Sequence, residues 1–275
     1  EYLEVIKNHQ AEILQQDLVV LREMCKQAQD FGTALGLDNV STFECIVEGD
    51  QHYFMEVNTR IQVEHRATEM AYRLEFTNPD KPGDNFLVDS LIAAMFLVAC
   101  YGQVLPKPQR QLRNLSGMEV RINATNQGLQ PHAGGILRSW STPIEGELRD
   151  DQGIGLRNPD TGLFQPYHLA GAYDSNVALS VTWGRTRLEN LEQMARVLRE
   201  MEVRGTDLQL NLSFHYGILY WMLGVDSMVK PNTRFVESYL ALCGKLSLGA
   251  KDTDLEFAWQ HLSRSIKELG PEALR

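Results

Sequence analysis

Phe54-Met-Glu-Val-Asn-Thr-Arg-Ile-Gln-Val-Glu-His65 decides how the rest of this chain is read. Just before it, Ser41-Thr-Phe-Glu-Cys-Ile-Val-Glu48 has the composition of a strand. Gly49-Asp-Gln51 has turn composition, and His52 to Asn58 forms the returning strand. Pairing Glu48 with His52 sets Ile46 against Phe54, Glu44 against Glu56 and Thr42 against Asn58. Directly opposed side chains in an antiparallel pair lie roughly 5 Å apart. Two carboxylates that close repel unless a cation lies between them or one keeps its proton. The opposite face carries Phe43, Cys45, Val47, Tyr53, Met55 and Val57, an apolar set for burial. The acidic face therefore reads as a site.

Glu44 and Glu56, with the amide oxygen of Asn58, are hard oxygen ligands suited to Mg²⁺ or Mn²⁺. Mg²⁺ ordinarily takes one or two protein carboxylates and fills its remaining positions with phosphate oxygens and water. Two more extended residues bring Arg60 to the same face, where a guanidinium clamps an oxyanion bidentately. Gln62 and Glu64 continue the alternation if the backbone stays extended. The spacing thus points to a metal–nucleotide site followed by a loop that handles a small anion. A solvated acidic face on an edge hairpin is the plainer alternative.

Glu56-Val-Asn58-Thr-Arg60 resembles the end of the ATP-grasp catalytic domain, a fold shared by many ATP-dependent ligases. Its continuation, Asn58-Thr-Arg-Ile-Gln-Val-Glu-His65 with Thr68-Glu-Met70, resembles biotin carboxylase in particular. Downstream, Glu119-Val-Arg-Ile-Asn-Ala124 resembles the opening strand of the biotin carboxylase C-terminal domain, and Tyr173-Asp-Ser175 a later strand entry. The resemblance runs with gaps from Ser41 to Met222. It implies that Glu44, Glu56 and Asn58 bind the metal ions, two of them, that bridge ATP phosphates. It implies that Arg60, Gln62 and the backbone at Val63 hold bicarbonate, and that Glu64 is the base that deprotonates it to give carboxyphosphate. Carboxyphosphate breaks down to CO₂ and phosphate, and phosphate takes the ureido proton of biotin. Arg121 then stabilises the biotin enolate oxygen. These roles suit a phosphoryl transfer governed by positioning and charge neutralisation. His65 reads as a structural histidine, with no second histidine at ligand spacing. The implied partners are a biotin carboxyl carrier protein or domain, a carboxyltransferase component and a second copy in a homodimer.

The chain also departs from the family. A glycine-rich phosphate loop and the lysines that grip ATP and bicarbonate are not visible, so the polypeptide reads as the C-terminal half of the enzyme, inactive alone. Arg66-Ala67 stands where proline and valine are usual, and Ser116-Gly117 where histidine and alanine are. Tyr173-Asp-Ser-Asn-Val-Ala-Leu179 lacks a glycine–lysine pair, and Gly205-Thr-Asp-Leu-Gln209 lacks Lys-Thr-Asn. Two other readings therefore stay open: an ATP-grasp ligase acting on a substrate other than biotin, and a non-catalytic partner or scaffold derived from the enzyme.

Composition bounds the rest. The 275 residues suffice for one large or two modest cores, with 43% hydrophobic residues. A formal charge of −10, with acids and bases intermixed, argues against nucleic acid or an anionic membrane as a partner. Cys25, Cys45, Cys100 and Cys243 form no metal or redox spacing and read as buried free thiols in a reducing cytoplasm. The longest apolar run, Leu91 to Cys100, is about half of a membrane span and reads as a core helix.

The fold class read from the whole is α+β. Residues 1–108 form the C-terminal part of an ATP-grasp domain, bounded by Pro106-Lys-Pro108. Residues 109–225 form a biotin carboxylase C-terminal domain with a mostly antiparallel sheet, and 226–275 a helical extension of two helices. Expected helices run from Gln10 to Leu35 (apolar stripe Leu14, Leu18, Leu21, Cys25, Ala28; Gly36 at its cap), Ala67 to Leu74, and Asn85 to Tyr101. Two more run from Arg187 to Glu202 (Leu188, Leu191, Met194, Ala195 and Leu198 inward) and from Asp207 to Leu223, whose Phe214, Tyr216, Tyr220 and Trp221 read as core. Strands are expected at Met118–Ala124, at Ser175–Trp183, and after a glycine turn in His132-Ala-Gly-Gly-Ile-Leu-Arg-Ser-Trp140.

Overall fold

A computed structural model of the chain describes residues 15–81, 83–102, 104–126, 129–131, 135–140, 146–149, 157–169, 175–225 and 232–251, with 256, 260 and 264. The chain divides into two compact units, Glu1–Met228 and Val229–Arg275. The first is α+β, and its described strands pair antiparallel throughout.

Helix α1 covers Gln15–Ala34. Its end is set by Gly36, whose φ of +68° is left-handed. Leu37 N–H donates to Gly32 O and Gly36 N–H to Thr33 O, the two bonds of a Schellman cap. Val20 and Leu21 are buried, while Cys25 and Ala28 are half-buried. Leu14 and the side chain of Leu18 lie outside the described residues. Strands β1 (Thr42–Glu48) and β2 (Gln51–Asn58) make the expected hairpin.

Next comes α2, His65–Ala71, which ends three residues earlier than expected because Tyr72 turns extended. The residues beyond it form a sheet that replaces two expected helical segments. Strand β3 (Tyr72–Thr77) pairs with β4 (Asn85–Val88) across the Asn78–Asp84 turn, and with β5 (Gln109–Leu112) on its other edge. Phe76, fully buried, stacks on Phe86 at 5.7 Å, an aromatic cross-strand pair that helical spacing does not supply. β5 lies beyond Pro106-Lys-Pro108 and still joins β3, so this sheet spans that segment.

Helix α3 is Leu91–Tyr101, and it starts where the Ser90 hydroxyl accepts from Ala93 N–H. Its expected burial is overturned: only Ala94 is buried, whereas Phe96 is 69% exposed and Tyr101 57%. Among the described elements its main neighbour is β4. Among the described residues no helix is long and apolar enough to cross a membrane.

The main core lies under a three-stranded sheet, β6 (Ser116–Asn123), β10 (Asn176–Gly184) and β8 (Glu147–Arg149), with β10 central. Asn176 to Thr182 is buried on both faces. Helix α4 (Arg187–Glu200) covers β10 and β6, and α2 lies against β6. Leu191, Met194, Ala195 and Leu198 face inward as expected, but Leu188 points out and Asn190 takes a core position. The Asn190 amide donates to Ser116 O at 2.9 Å and its oxygen accepts from Thr182 Oγ1 at 2.7 Å, joining both strands to the helix. A second sheet sets β7 (Ile136–Trp140) between β11 (Val203–Thr206) and β9 (Tyr167–His168).

Helix α5 is Leu212–Val225; the expected earlier start fails because Val203–Thr206 is strand and Asp207 sits at φ +53°. Leu219 and Met222 are its buried positions, and Tyr220 is half exposed, so the core expected of its aromatics is carried by the aliphatics. Residues 132–134 and Tyr173-Asp174 lie outside the described residues. In the second unit, α6 covers Phe235–Lys251, while the second expected tail helix falls largely outside the described residues. All four cysteines are free thiols. Cys100 is exposed and the others half-buried, which corrects the expectation of burial.

Candidate active site

The hairpin opposes Glu44 to Glu56 and Thr42 to Asn58 as the alternation predicts, by a different route. The turn is only Gly49-Asp50, with Glu48 paired to Gln51, and Gly49 adopts φ +60°. A glycine in that conformation at the first central position is what a two-residue II′ turn requires. Ile46 then faces Tyr53, one position off the expected register. A bulge at Met55, between the Glu44–Glu56 and Cys45–Phe54 pairs, restores the alignment.

The bulge changes which side chains face α1. Phe54, not Tyr53 or Met55, joins Phe43 against Phe31, with ring centroids 5.4 to 6.5 Å apart. Tyr53 and Met55, expected to be buried, are more than half exposed and Val47 is exposed as well; Phe54 keeps about half its surface open despite its ring contacts. The aromatic trio, with Met24, Ala28, Cys45 and His52, lines a cavity of about 330 Å³. Burial there pushes the Cys45 thiol up.

On the other face the acids converge. Asn58 Nδ2 donates to Glu44 Oε1 at 3.0 Å and to Glu56 Oε1 at 3.1 Å. Gln62 Nε2 donates to the same Glu44 oxygen at 3.0 Å. One amide nitrogen thus sits between two carboxylate oxygens, at the point where their field most favours positive charge. The Asn58 amide presents its oxygen to that point when turned over, an orientation that the hydrogen-bond partners decide. Two carboxylates and an amide oxygen fit a hard divalent cation that keeps positions open for phosphate. Among the described residues no group of three or more His, Cys, Asp or Glu that could hold a metal ion comes together.

The strand stops at Asn58, so alternation does not carry Arg60, Gln62 and Glu64 forward as expected. Thr59-Arg60 bends, and Arg60 stays exposed, donating to the Ile61 carbonyl at 3.2 Å; the structure does not join it to the acid cluster. Gln62 reaches Glu44 because the loop folds back. Val63 and Glu64 form a turn, closed by His65 N–H to Gln62 O. Glu64 is the N-cap of α2 and makes no side-chain cap bond. Its carboxylate instead faces the Arg121 guanidinium of β6 at 3.5 Å, both side chains partly exposed. Residues 57 positions apart are thereby brought together. The Arg121 carbonyl accepts from Asn211 Nδ2 at 3.1 Å and is 3.0 Å from His215 Nε2, and Asn211 Oδ1 accepts from Asn123 N–H. Burial lowers His215 below the ordinary imidazole value, with its bond to that carbonyl acting the other way.

Several positions escape sequence reasoning. Glu69, 2% exposed, accepts from His65 Nδ1 at 2.9 Å, from Arg66, and from Leu91 N–H at 2.7 Å. Burial alone raises its carboxyl; hydrogen bonds from His65, Arg66 and the Leu91 amide outweigh that and hold it below the usual range. The signal was present in the one acid of His65–Ala71, placed three and four residues after its basic partners. Arg66 also reaches Glu147, and that pairing raises its guanidinium further. His65 has the structural role expected of it.

Comparison with known proteins finds relatives by sequence and by fold. Residues 4–77 match the family model described as the carbamoyl-phosphate synthase L chain, ATP binding domain. Biotin carboxylase 1 of Bacillus subtilis is 30% identical over 227 residues, 81% of this chain and 44% of that protein. The propionyl-CoA carboxylase alpha chain of Ruegeria pomeroyi is 32% identical over 206 residues, 69% of this chain and 28% of that protein. The fold is similar to a crystal structure of Campylobacter jejuni biotin carboxylase in a β,γ-ATP complex, with TM-score 0.53 at 22% identity, covering 78% of this chain and 40% of that one. It is similar also to the biotin carboxylase domain dimer of Hydrogenobacter thermophilus 2-oxoglutarate carboxylase with MgADP, ADP and bicarbonate, with TM-score 0.53 at 22% identity over 73% of this chain and 39% of that one. The chain spans less than half the length of the curated relatives it matches. On the sequence matches, with the fold in agreement, the chain belongs to the biotin carboxylase family.

Proposed function

We propose that the protein carrying this chain carboxylates biotin on a carrier protein or domain, using ATP and bicarbonate through carboxyphosphate. This is the first half-reaction of a biotin-dependent carboxylase. The observation that carries the reading is the single hydrogen-bonded cluster of Glu44, Glu56, Asn58 and Gln62, followed two residues later by the Glu64–Arg121 pair. Glu44, Glu56 and Asn58 hold Mg²⁺ or Mn²⁺, which supplies charge neutralisation at the ATP phosphates. Gln62, the Val63 backbone and Arg60 hold bicarbonate beside them, Arg60 swinging in from its exposed position. Glu64 accepts the bicarbonate proton, a role that its part-exposed carboxylate beside Arg121 supports. Arg121 presents its guanidinium to the ureido oxygen of biotin as negative charge grows there.

Residues 1–108 supply the metal and anion side, 109–225 the biotin side, and 226–275 a helical extension. A carboxyltransferase component consumes the carboxybiotin. The relative that is one chain of a propionyl-CoA carboxylase supports that partnership, and the dimeric H. thermophilus domain supports a homodimer. Four free thiols suit a reducing compartment such as the cytoplasm.

Glu64→Gln tests the reading. Bicarbonate-dependent ATP cleavage by the protein carrying this chain is expected to vanish, with the free energy of unfolding held to within about 0.5 kcal/mol. Retained turnover refutes Glu64 as the base. Stimulation of wild-type cleavage by free biotin identifies the acceptor, and its absence redirects the reading to another acceptor.

A further inference from the structure

We propose that Arg66 and Glu147 form a strut that sets the distance between Glu64 and Arg121, with Arg66 a positioning residue. The inference deepens the reading above and rests on it for its kinetic arm. Arg66 lies two residues past Glu64, in the first turn of α2. Its Nε donates to Glu147 Oε1 at 3.1 Å and its Nη2 to the other oxygen of the same carboxylate. A bidentate pair of this kind fixes the plane of the guanidinium as well as its distance. The third donor, Nη1, goes to buried Glu69, so the whole planar group is oriented from two sides.

Glu147 belongs to the sheet that carries Arg121. It opposes Val181 on β10, and Val181 opposes Glu119 on β6, two residues from Arg121. The strut therefore ties the start of α2, where Glu64 sits, to that sheet. Glu64 has no side-chain capping bond of its own, and its 3.5 Å contact with Arg121 is partly exposed. A pair so loosely held takes its geometry from the elements beneath it. Gly117 supplies the seat: a Cβ there would lie 2.9 Å from Ala67 O, so α2 rests on the β6 backbone and the strut decides its orientation.

The test uses the native protein carrying this chain, with Arg66→Ala, Glu147→Ala and Arg66→Lys, each alone and combined with Arg121→Met. Arg66→Ala and Glu147→Ala are each expected to lower kcat for bicarbonate-dependent ATP cleavage about tenfold, with KM for ATP unchanged, because misplacement of about an ångström costs rate. Arg66→Lys, which cannot bind bidentately, is expected to recover only part of the loss. In the Arg121→Met background Arg66→Ala should lower kcat no further, since the two act through one pair. A full tenfold loss persisting in that background, or an unchanged kcat, overturns the strut. If the wild-type protein cleaves no ATP with bicarbonate, the functional reading fails, and amide hydrogen exchange then decides the strut alone. Exchange about tenfold faster at Gln62–His65 in Arg66→Ala, with Met194–Leu198 unchanged, supports it. Uniform acceleration, or none, overturns it.

Discussion

Replacing Gly117 by alanine measures how closely α2 is seated on β6. The added methyl would meet Ala67 O and Met70 Cβ at 2.9 Å each, with Ala67 Cα at 3.4 Å. Two of these three atoms are backbone, so the helix must move by several tenths of an ångström rather than a side chain swing aside. Overpacking of this kind costs about 1–3 kcal/mol. Loss of glycine's unfolded-state freedom returns about 0.5–1 kcal/mol. The expected net destabilisation is about 1–2 kcal/mol. With a urea dependence of about 2 kcal/mol per molar, the midpoint falls by about 0.5–1 M. Tryptophan fluorescence is a suitable probe, since Trp183 is the register partner of Gly117. Gly32→Ala is the control of opposite sign. Its Cβ would find Phe43 at 3.6 Å and Leu37 at 3.8 Å, ordinary contacts, and alanine at this position of α1 gains about 1 kcal/mol of helix propensity. A Gly117→Ala midpoint at or above wild type, or the two variants moving together, refutes the close seating.

Glu69→Gln strips the charge that Arg66 and His65 share and should cost about 3 kcal/mol or more, read from urea midpoints. Because folding holds the Glu69 carboxyl below its usual 4.5, its contribution is complete above that value and drains as pH falls through the folded one. Midpoints taken between about pH 6 and pH 3 should fall less steeply in Glu69→Gln than in wild type, and parallel curves refute the assignment. Mg²⁺ at ten times its dissociation constant should stabilise the chain by about 1.4 kcal/mol, an effect that EDTA reverses and Glu56→Gln removes; an equal rise in Glu56→Gln places the ion elsewhere.

Period-two alternation made the two hairpin strands legible, whereas Glu44 meets Glu56 because a turn one residue shorter than its composition suggests and the surplus residue at Met55 offset each other. The helix α4 and strands β6 and β10 were legible for the same reason, each carrying its own period over at least eight residues. Tyr72, Leu74 and Phe76 also alternate with Arg73, Glu75 and Thr77, but a helix extended through Leu74 absorbed that short signal. In α3, hydropathy reports the cost of leaving side chains in water and says nothing of what lies above them, so Phe96 was misplaced. The contacts that orient the site, Arg66 with Glu147 and Asn211 with Arg121, join residues 81 and 90 positions apart, beyond any local period.

The Met55 bulge works like an expansion joint in the hairpin. Because β2 already stores one surplus residue between the turn and Glu56, shortening the hairpin tip by one residue can be absorbed by flattening the bulge. Turn variation at the exposed tip is thus decoupled from the facing of Glu44 and Glu56, leaving that tip free to drift while the acids stay aligned.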